Sequence, residues 1–202
     1  MSNIIIHERP GVYSSYDTST VIRGGRAIRV IGVAAQATAG TPNVPVTLTS
    51  YEGGLSAFGE DAEGTPGMST ILSLLFENGA STVVAVSVEE DDYASAFAAL
   101  KAMDNIQIVV CDSGDEAVQQ DLRTSLEEAS ATRRERIAVV GMSGAGTSEL
   151  TGRAEALNSE RMVLVGPDVL DKSGKKLSGV FAAAAVAGAI AVTSDPAIPL
   201  NG

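Results

Sequence analysis

Short apolar runs rich in β-branched residues recur along the chain and predict buried β-strands. Three runs in the second half follow one another at a spacing of about thirty residues and are apolar on both alternating faces, which is typical of strands covered by helices on both sides. A further short segment, 46–49, alternates in polarity and predicts a strand at a sheet edge. The predicted buried strands span residues 26–35, 81–88, 106–111, 137–141 and 162–166.

Segments with helical periodicity lie between these runs. In the segment 115–134, Ala117, Leu122, Leu126 and Ala129 share one helix face, and Ser113 followed by Glu116 has the spacing of a capping box. The segment rich in glycine at 50–67 predicts mostly irregular structure. Because strands and helices alternate, we expect an α/β fold with a doubly wound, mainly parallel sheet and helices on both faces. The other predicted helices are 68–78, a helix capped by Asp91 and Asp92, 148–158 and the alanine-rich 178–193.

Composition along the chain predicts one domain with extended ends. Residues 1–20 have no helical period and end in a polar stretch that behaves as a linker, so we expect an extended N-terminal arm. Residues 21–194 form the predicted α/β core domain, and residues 195–202, with two prolines, form an extended C-terminal segment. The apolar triplet Ile4–Ile6 must be covered, either by its own domain or as a strand added to another subunit's sheet.

Charge and cysteine content argue against several classes of function. The net charge of −11 and pI near 4.5 argue against a nucleic-acid partner, because affinity for phosphate depends on clustered lysine and arginine. The single cysteine, Cys111, ends an apolar strand and is interpreted as a structural thiol. We also expect no membrane partner, since the alanine-rich run 179–193 is shorter than the roughly twenty residues that span a bilayer.

The glycine-rich segment 141–148 is the strongest candidate for a ligand site. It follows a predicted strand and opens a predicted helix, as a phosphate-binding P-loop does, but Thr147 stands where the lysine should be. Glycines are also common in tight turns between a strand and a helix, which need no lysine. We favour the structural turn and keep a nucleotide- or anion-binding α/β domain that uses residues 141–148 as the alternative.

Catalysis has little support in the sequence. Asp112 follows a predicted strand, a favoured place for active-site groups, but the only histidine is His7, in the arm. The acidic run 89–92 would not converge on a metal ion, because adjacent residues point in different directions. We therefore expect no enzymatic activity, no cofactor and no metal, with a residual hydrolase as a third and remote alternative.

Three stretches of the chain carry a resemblance to a known family. Residues Pro10-Gly11-Val12-Tyr13, behind a short apolar N-terminus, resemble the opening of the contractile tail sheath proteins of bacteriophages and related injection machines. The helix ending at residues 74–81, with its phenylalanine and Asn-Gly pair, is similar to a family signature that precedes a hydrophobic strand. The third similarity is the order of an α/β unit, an Ala/Gly-rich helix and a proline-containing segment ending at Asn201-Gly202. Together these stretches cover most of the chain.

The resemblance implies a subtilisin-like sheath core without protease chemistry. It implies a structural subunit that polymerises as stacked hexameric rings around an inner tube through exchanged terminal arms, and contracts to drive the tube into the host. The implied partners are copies of the chain itself, the tail tube protein, and baseplate and tail terminator proteins. The implied location is the virion tail, assembled in the bacterial host cytoplasm. The subunit-linking residues would be Ile4, Ile5, Ile6, Pro10, Gly11, Val12 and Tyr13.

Two departures from the family pattern accompany the resemblance. Sheath subunits usually continue into a further C-terminal domain, so the segment 195–202 is expected to lead to a missing domain. Between Val88 and Asp91 there is no room for the β-rich domain that many relatives insert.

Overall fold

The computed structural model describes residues 29–144, 146–170, 174 and 176–193. The predicted N-terminal arm, which includes the linking residues between Ile4 and Tyr13, lies outside these residues. The same holds for His7 and for the C-terminal segment 195–202. The domain boundaries proposed from the sequence therefore stay predictions at both ends of the chain.

A six-stranded sheet forms the centre of the molecule. Its strand order is β2-β3-β1-β4-β5-β6, and all pairs are parallel except β2 with β3, which is antiparallel. This confirms the predicted mainly parallel sheet. The strands are β1 (Val30–Ala35), β2 (Val46–Leu48), β3 (Val83–Ser87), β4 (Ile106–Cys111), β5 (Ile137–Gly141) and β6 (Met162–Val165).

Helices cover both faces of the sheet, as predicted. Along β1, Ile31 and Val33 point into one hydrophobic core, whereas Val30 and Ala34 point into the other, which is the two-residue period of a strand buried on both sides. The first core also contains residues from α1, α2 and α6, and the second contains residues from α3, α4 and α5. The helices are α1 (Tyr51–Phe58), α2 (Met68–Glu77), α3 (Tyr93–Lys101), α4 (Glu116–Ala131), α5 (Thr147–Leu157) and α6 (Gly179–Val192).

The prediction of irregular structure across 50–67 was wrong for its first half, which forms α1. The Ser50 hydroxyl accepts a hydrogen bond from the Gly53 amide and caps the helix. Phe58 is only 1% exposed, and Gly54 packs so closely on Leu72 that a Cβ would lie 2.6 Å from its Cδ1. Tertiary packing therefore stabilises a short helix whose glycines oppose it.

Two finer expectations also need correction. The strand β6 was expected to be covered on both faces, but it is the last strand of the sheet and Val163 is 37% exposed. The helix α4 is capped by Asp115, whose carboxylate accepts from the Ala117 amide at 2.8 Å, and not by the predicted Ser113. Ala117 is exposed, and Gln119 occupies the buried position on the inner face of the helix.

A two-stranded hairpin follows β6. Its strands are β7 (Val169–Leu170) and β8 (Lys176–Leu177), which pair antiparallel. Leu170 is 71% exposed. The helix α6 that follows is entirely apolar and packs against α2, but among the described residues no helix combines the length and hydropathy that a membrane span requires.

Candidate functional site

The carboxyl ends of the parallel strands are where α/β folds bind ligands, especially where the strand order reverses. After β1 the chain forms β2 and β3, which lie on one side of β1. It then crosses to β4, which lies on the other side of β1. Gln36 follows β1 and Asp112 follows β4, so both residues lie at this reversal point. Asp112 was singled out from the sequence, and Gln36 was not.

Asp112 connects three elements at the reversal point. Its Oδ2 accepts from the Gln36 amide at 2.8 Å, and its Oδ1 accepts from the Tyr93 hydroxyl at 2.6 Å. The Gln36 side-chain amide donates in turn to Asp91 Oδ1 at 2.5 Å. Both oxygens of Asp112 are thus used in holding β1, β4 and the start of α3 together, which is a structural use of the carboxylate.

Burial changes the proton affinities of this cluster. Burial raises the pKa of Asp112, although its hydrogen bonds from Tyr93 and Gln36 oppose the shift. Burial, together with the negative charge of Asp112, also raises the pKa of Tyr93. Burial raises the pKa of the Cys111 thiol to about 12, so the thiol stays protonated at neutral pH, as expected for a structural cysteine. No imidazole lies among the described residues to act as a base.

Replacing Tyr93 with phenylalanine should test the structural use of Asp112. The ring stays, but one charge-assisted hydrogen bond to a buried carboxylate is lost, so we expect the free energy of unfolding to fall by about 1.5–3 kcal/mol. Urea denaturation followed by circular dichroism measures this change. The matched control is Tyr51→Phe, because Tyr51 is a partly buried residue whose hydroxyl forms no hydrogen bond to any described residue. Equal effects of the two substitutions would contradict the assignment.

Two carboxylates of the acidic run 89–92 accept structural hydrogen bonds. Asp92 caps α3 by accepting from the Ser95 amide at 3.1 Å, and Asp91 binds Gln36. Across the part of the chain that the structure describes, no three His, Cys, Asp or Glu side chains are grouped so that they could hold a metal ion. Asp91 and Asp92 therefore have structural partners within the protein.

The glycine-rich segment 141–148 lies at the carboxyl end of β5, as the sequence predicts, and the structure describes all of it except Ala145. Two of its backbone amides already have partners. The Gly144 amide donates to Asp168 Oδ1 at 2.9 Å, and the Gly146 amide donates to Glu149 Oε2 at 2.9 Å. The protein's own carboxylates thus occupy two donors that a bound phosphate would use.

Asp168 is the central residue of this end of the sheet, and no pattern in the sequence singles it out. Its Oδ1 accepts from the Gly144 and Gly179 amides, the second at 3.0 Å, and its Oδ2 pairs with Lys176 at 3.0 Å. The carboxylate therefore joins the glycine-rich loop, the hairpin and the start of α6. These bonds lower the pKa of Asp168 to about 2, and the bond from the Gly144 amide has the largest effect.

Replacing Asp168 with asparagine should change how stability depends on pH. Because the pKa in the folded state lies below the ordinary value of 3.8, the carboxylate stabilises the protein above about pH 4. That contribution is lost as the pH falls through about 2. We expect wild type to melt at a higher temperature than Asp168→Asn at pH 7, and the difference to shrink towards pH 2. Melting temperatures measured across this range check the prediction, and a difference independent of pH would contradict it.

Gly141 is explained by backbone packing. A Cβ at this position would lie 2.0 Å from the Gly179 carbonyl oxygen, so only glycine lets the end of β5 approach the start of α6 this closely. The Gly141 carbonyl also accepts from Gln119 Nε2 at 2.8 Å, and Gln119 Oε1 accepts from Arg153 at 2.9 Å. The geometry thus favours the tight structural turn over a phosphate cradle.

The first and last described residues, Arg29 and Thr193, meet at the amino ends of the parallel strands. Arg29, just before β1, donates to the carbonyl oxygens of Ile190 at 2.8 Å and Thr193 at 2.5 Å. Because α6 ends at Val192, this guanidinium binds the last turn of the helix, where unpaired carbonyls attract cations. Arg29 and Thr193, the first and the last of the described residues, therefore lie next to each other.

No family model matches the sequence. A tail sheath protein of Mycobacterium phage Bxz1 is 29% identical over 145 residues, which is 63% of this chain and 25% of the phage protein. A sheath tail protein from Desulfitobacterium hafniense has a TM-score of 0.63 at 12% identity, covering 90% of this chain and 62% of that one. The contracted helical sheath of the anti-feeding prophage has a TM-score of 0.55 at 18% identity, covering 92% and 52%.

These similarities confirm the resemblance inferred from the sequence and the fold that it implied. This chain spans about a quarter of the length of the curated relative and roughly half to three fifths of the structural neighbours. The arm residues lie outside the described part of the chain, so their linking role stays a prediction.

Proposed function

We propose that this chain, which shares its fold and part of its sequence with the contractile tail sheath proteins, is a structural subunit of such a sheath. The observation that carries the proposal is the 29% identity to a phage tail sheath protein over 145 residues, together with the fold shared with two sheath structures. The sequence similarity supports the function, and the structures alone support the fold.

The arrangement of the core fits a subunit that acts as a rigid body. The polar groups at the carboxyl edge are bound to one another, with Asp112 joining β1 to β4 and Asp168 joining the glycine-rich loop to α6. Such networks restrict movement within the core, whereas a contracting assembly moves its subunits relative to one another. One of the neighbouring structures is a sheath in the contracted state.

The finer parts of the proposal concern assembly. Subunits form stacked hexameric rings around an inner tube, and terminal arms exchanged between subunits keep the rings linked during contraction, which drives the tube into the host. The linking residues are Ile4–Ile6 and Pro10–Tyr13, because this apolar segment needs cover that a neighbouring subunit can supply. The partners are further copies of the chain, the tube, the baseplate and the tail terminator, in a virion tail assembled in the host cytoplasm.

Electron microscopy of the concentrated protein tests the proposal directly. We expect rings or tubular assemblies that grow with protein concentration, since association of identical subunits follows mass action. Calorimetry with a nucleoside triphosphate is run in parallel. A monodisperse monomer that binds the nucleotide would overturn the proposal in favour of a ligand-binding α/β domain.

A further inference from the structure

Charge is distributed unevenly across the sheet. Residues 30–100, which include β1, β2 and β3, contain nine aspartates and glutamates but no lysine, arginine or histidine. None of these acids forms an ion pair within the described part of the chain. Because β2 and β3 lie at one end of the strand order and β5 and β6 lie at the other, the two ends of the molecule differ in charge. An end rich in unpaired acids favours a partner that supplies positive charge.

Two acidic loops, 59–63 and 88–92, lie near each other beside the carboxyl ends of β1 and β3. Gln36 connects them, because its side-chain amide donates to Asp91 Oδ1 at 2.5 Å and it lines a cavity of about 130 Å³ together with Asp61. We call the two loops and this cavity the acidic surface. Its exposed acids are Glu60, Glu63, Glu89, Glu90, Asp91 and Asp92.

The acidic surface also has an apolar part. Ala37, Ala62 and Pro66 line the cavity. Val44 is 47% exposed and lies beside the carboxyl end of β3, because the backbone amide of the preceding residue donates to the Ser87 carbonyl at 3.0 Å. A partner that fits this surface therefore combines an apolar side chain with positive charge.

The hairpin of β7 and β8, at the other end of the sheet, exposes apolar side chains. Leu170 is 71% exposed and Val169 is 41% exposed, and neither residue belongs to the two hydrophobic cores. A Cβ at Gly174 would have no atom within 4 Å, so the turn faces open space. Asp168 fixes the base of the hairpin through its bonds to the glycine-rich loop and to the start of α6. A projecting apolar element held in a fixed direction is suited to contact with a second molecule.

The hairpin is also the part of the chain richest in lysine. Three of the four lysines in the sequence lie between residues 168 and 177, together with two aspartates. Asp168 pairs with Lys176 at 3.0 Å, which leaves two lysines against one aspartate. The hairpin therefore has a net charge of +1, although the chain as a whole carries −11. It combines exposed apolar side chains with positive charge, and so complements the acidic surface.

We propose that the hairpin of one copy docks on the acidic surface of the next copy, with Leu170 in the cavity and the lysines of the hairpin against the two acidic loops. This inference rests on the proposed function, because it names a contact through which copies of a sheath subunit meet. The hairpin follows β6, whereas the acidic surface lies on the opposite half of the sheet, so each copy offers both surfaces at once. The contact is therefore heterologous, which is the kind that builds rings and helical assemblies.

Disulfide trapping between two full-length variants tests this docking. One variant carries Leu170→Cys, and the other, with a tag of different mass, carries Ala62→Cys in the lining of the cavity. The native Cys111 is 2% exposed and does not compete for the disulfide. After mixing under oxidising conditions, we expect about tenfold more heterodimer than when Ala131→Cys, at an exposed alanine that ends α4, replaces Ala62→Cys, because docking raises the effective concentration of the two thiols.

An exchange of charge between the two surfaces gives a second measurement that needs no cysteine. One variant carries Lys172→Glu and Lys175→Glu, and the other carries Glu89→Lys and Glu90→Lys. Each variant alone places like charges against each other, so we expect its association to weaken about tenfold. An equimolar mixture should associate again, because each surface then meets the opposite charge on the other variant. Sedimentation velocity measures the association, and circular dichroism measures the fold.

The outcomes separate this inference from the proposed function. Heterodimer above the control level, together with restored association in the mixture, supports the docking. Control-level trapping, or a mixture that associates no better than the single variants, overturns the hairpin contact if the wild-type protein still forms rings or tubes, and it leaves the proposed function intact. Control-level trapping in a protein whose wild type never assembles overturns both.

Discussion

Removing residues 1–20 should abolish self-assembly while the core stays folded. The described residues from Arg29 onwards form two hydrophobic cores, one on each face of the sheet. Burial of one isoleucine contributes about 1.5–3 kcal/mol, so three isoleucines transferred into a neighbouring subunit contribute at least about 4.5 kcal/mol to each contact. Losing them should raise the concentration needed for assembly by roughly a thousandfold or more. Analytical ultracentrifugation measures the assembly, and circular dichroism measures the fold.

A substitution inside the arm makes this test more specific. The triple variant Ile4→Ser, Ile5→Ser, Ile6→Ser keeps the length of the arm and removes only its apolar side chains, so it should behave like the deletion. The matched control, Ser14→Ala with Ser15→Ala in the polar stretch, should assemble as wild type does. If the deleted chain still forms normal rings or tubes, the linking role of the arm is wrong.

The strands of the central sheet could be predicted because their sequence pattern reflects burial on both faces. Runs such as 106–111 and 137–141 are apolar at every position or nearly so, and the structure shows why: alternate residues enter two different cores. The short strand at 46–48 alternates in polarity because its two faces differ in burial: Thr47 is exposed and Leu48 is buried. For these strands, the hydrophobic pattern in the sequence matches the burial of the strand in the folded protein.

The helix α1 could not be predicted because its stability comes from tertiary packing. Its glycines resemble a loop in the sequence, but Gly54 is required by the close approach of Leu72 on α2. Similarly, the exposure of β6 follows from strand order, which a sequence pattern does not specify, since an edge strand and a central strand can carry the same apolar residues.

Only some of the structural roles at the carboxyl ends of the strands could be predicted from the sequence. The glycine-rich turn was recognised, and its interpretation as a structural turn agrees with the geometry. Asp168 was missed because a lone aspartate before a hairpin has no signature, and its partners Gly144 and Gly179 are 24 and 11 residues away in the chain. Arg29 was missed for the same reason, since Thr193 lies 164 residues from it.

Gly141→Ala should be among the most destabilising single substitutions in this core. The new Cβ would lie 2.0 Å from the Gly179 oxygen and 2.5 Å from the Val180 nitrogen, and both are backbone atoms that no rotamer change can move. The start of α6 must shift away from β5, which also weakens the bonds of Asp168 to Gly144 and Gly179. Overpacking of this kind costs about 1–3 kcal/mol, and because backbone clashes with backbone we expect about 3 kcal/mol.

Gly152→Ala is the control that separates packing from the general effect of adding a methyl group. Gly152 lies inside α5, and a Cβ there has no neighbour within 4 Å. Alanine should therefore stabilise the protein by about 0.5–1 kcal/mol through helix propensity alone. Urea denaturation of both variants measures the opposite signs. A Gly141→Ala protein within about 0.5 kcal/mol of wild type would show that α6 can move freely at this turn, and the glycine would then need another explanation, such as a bound ligand.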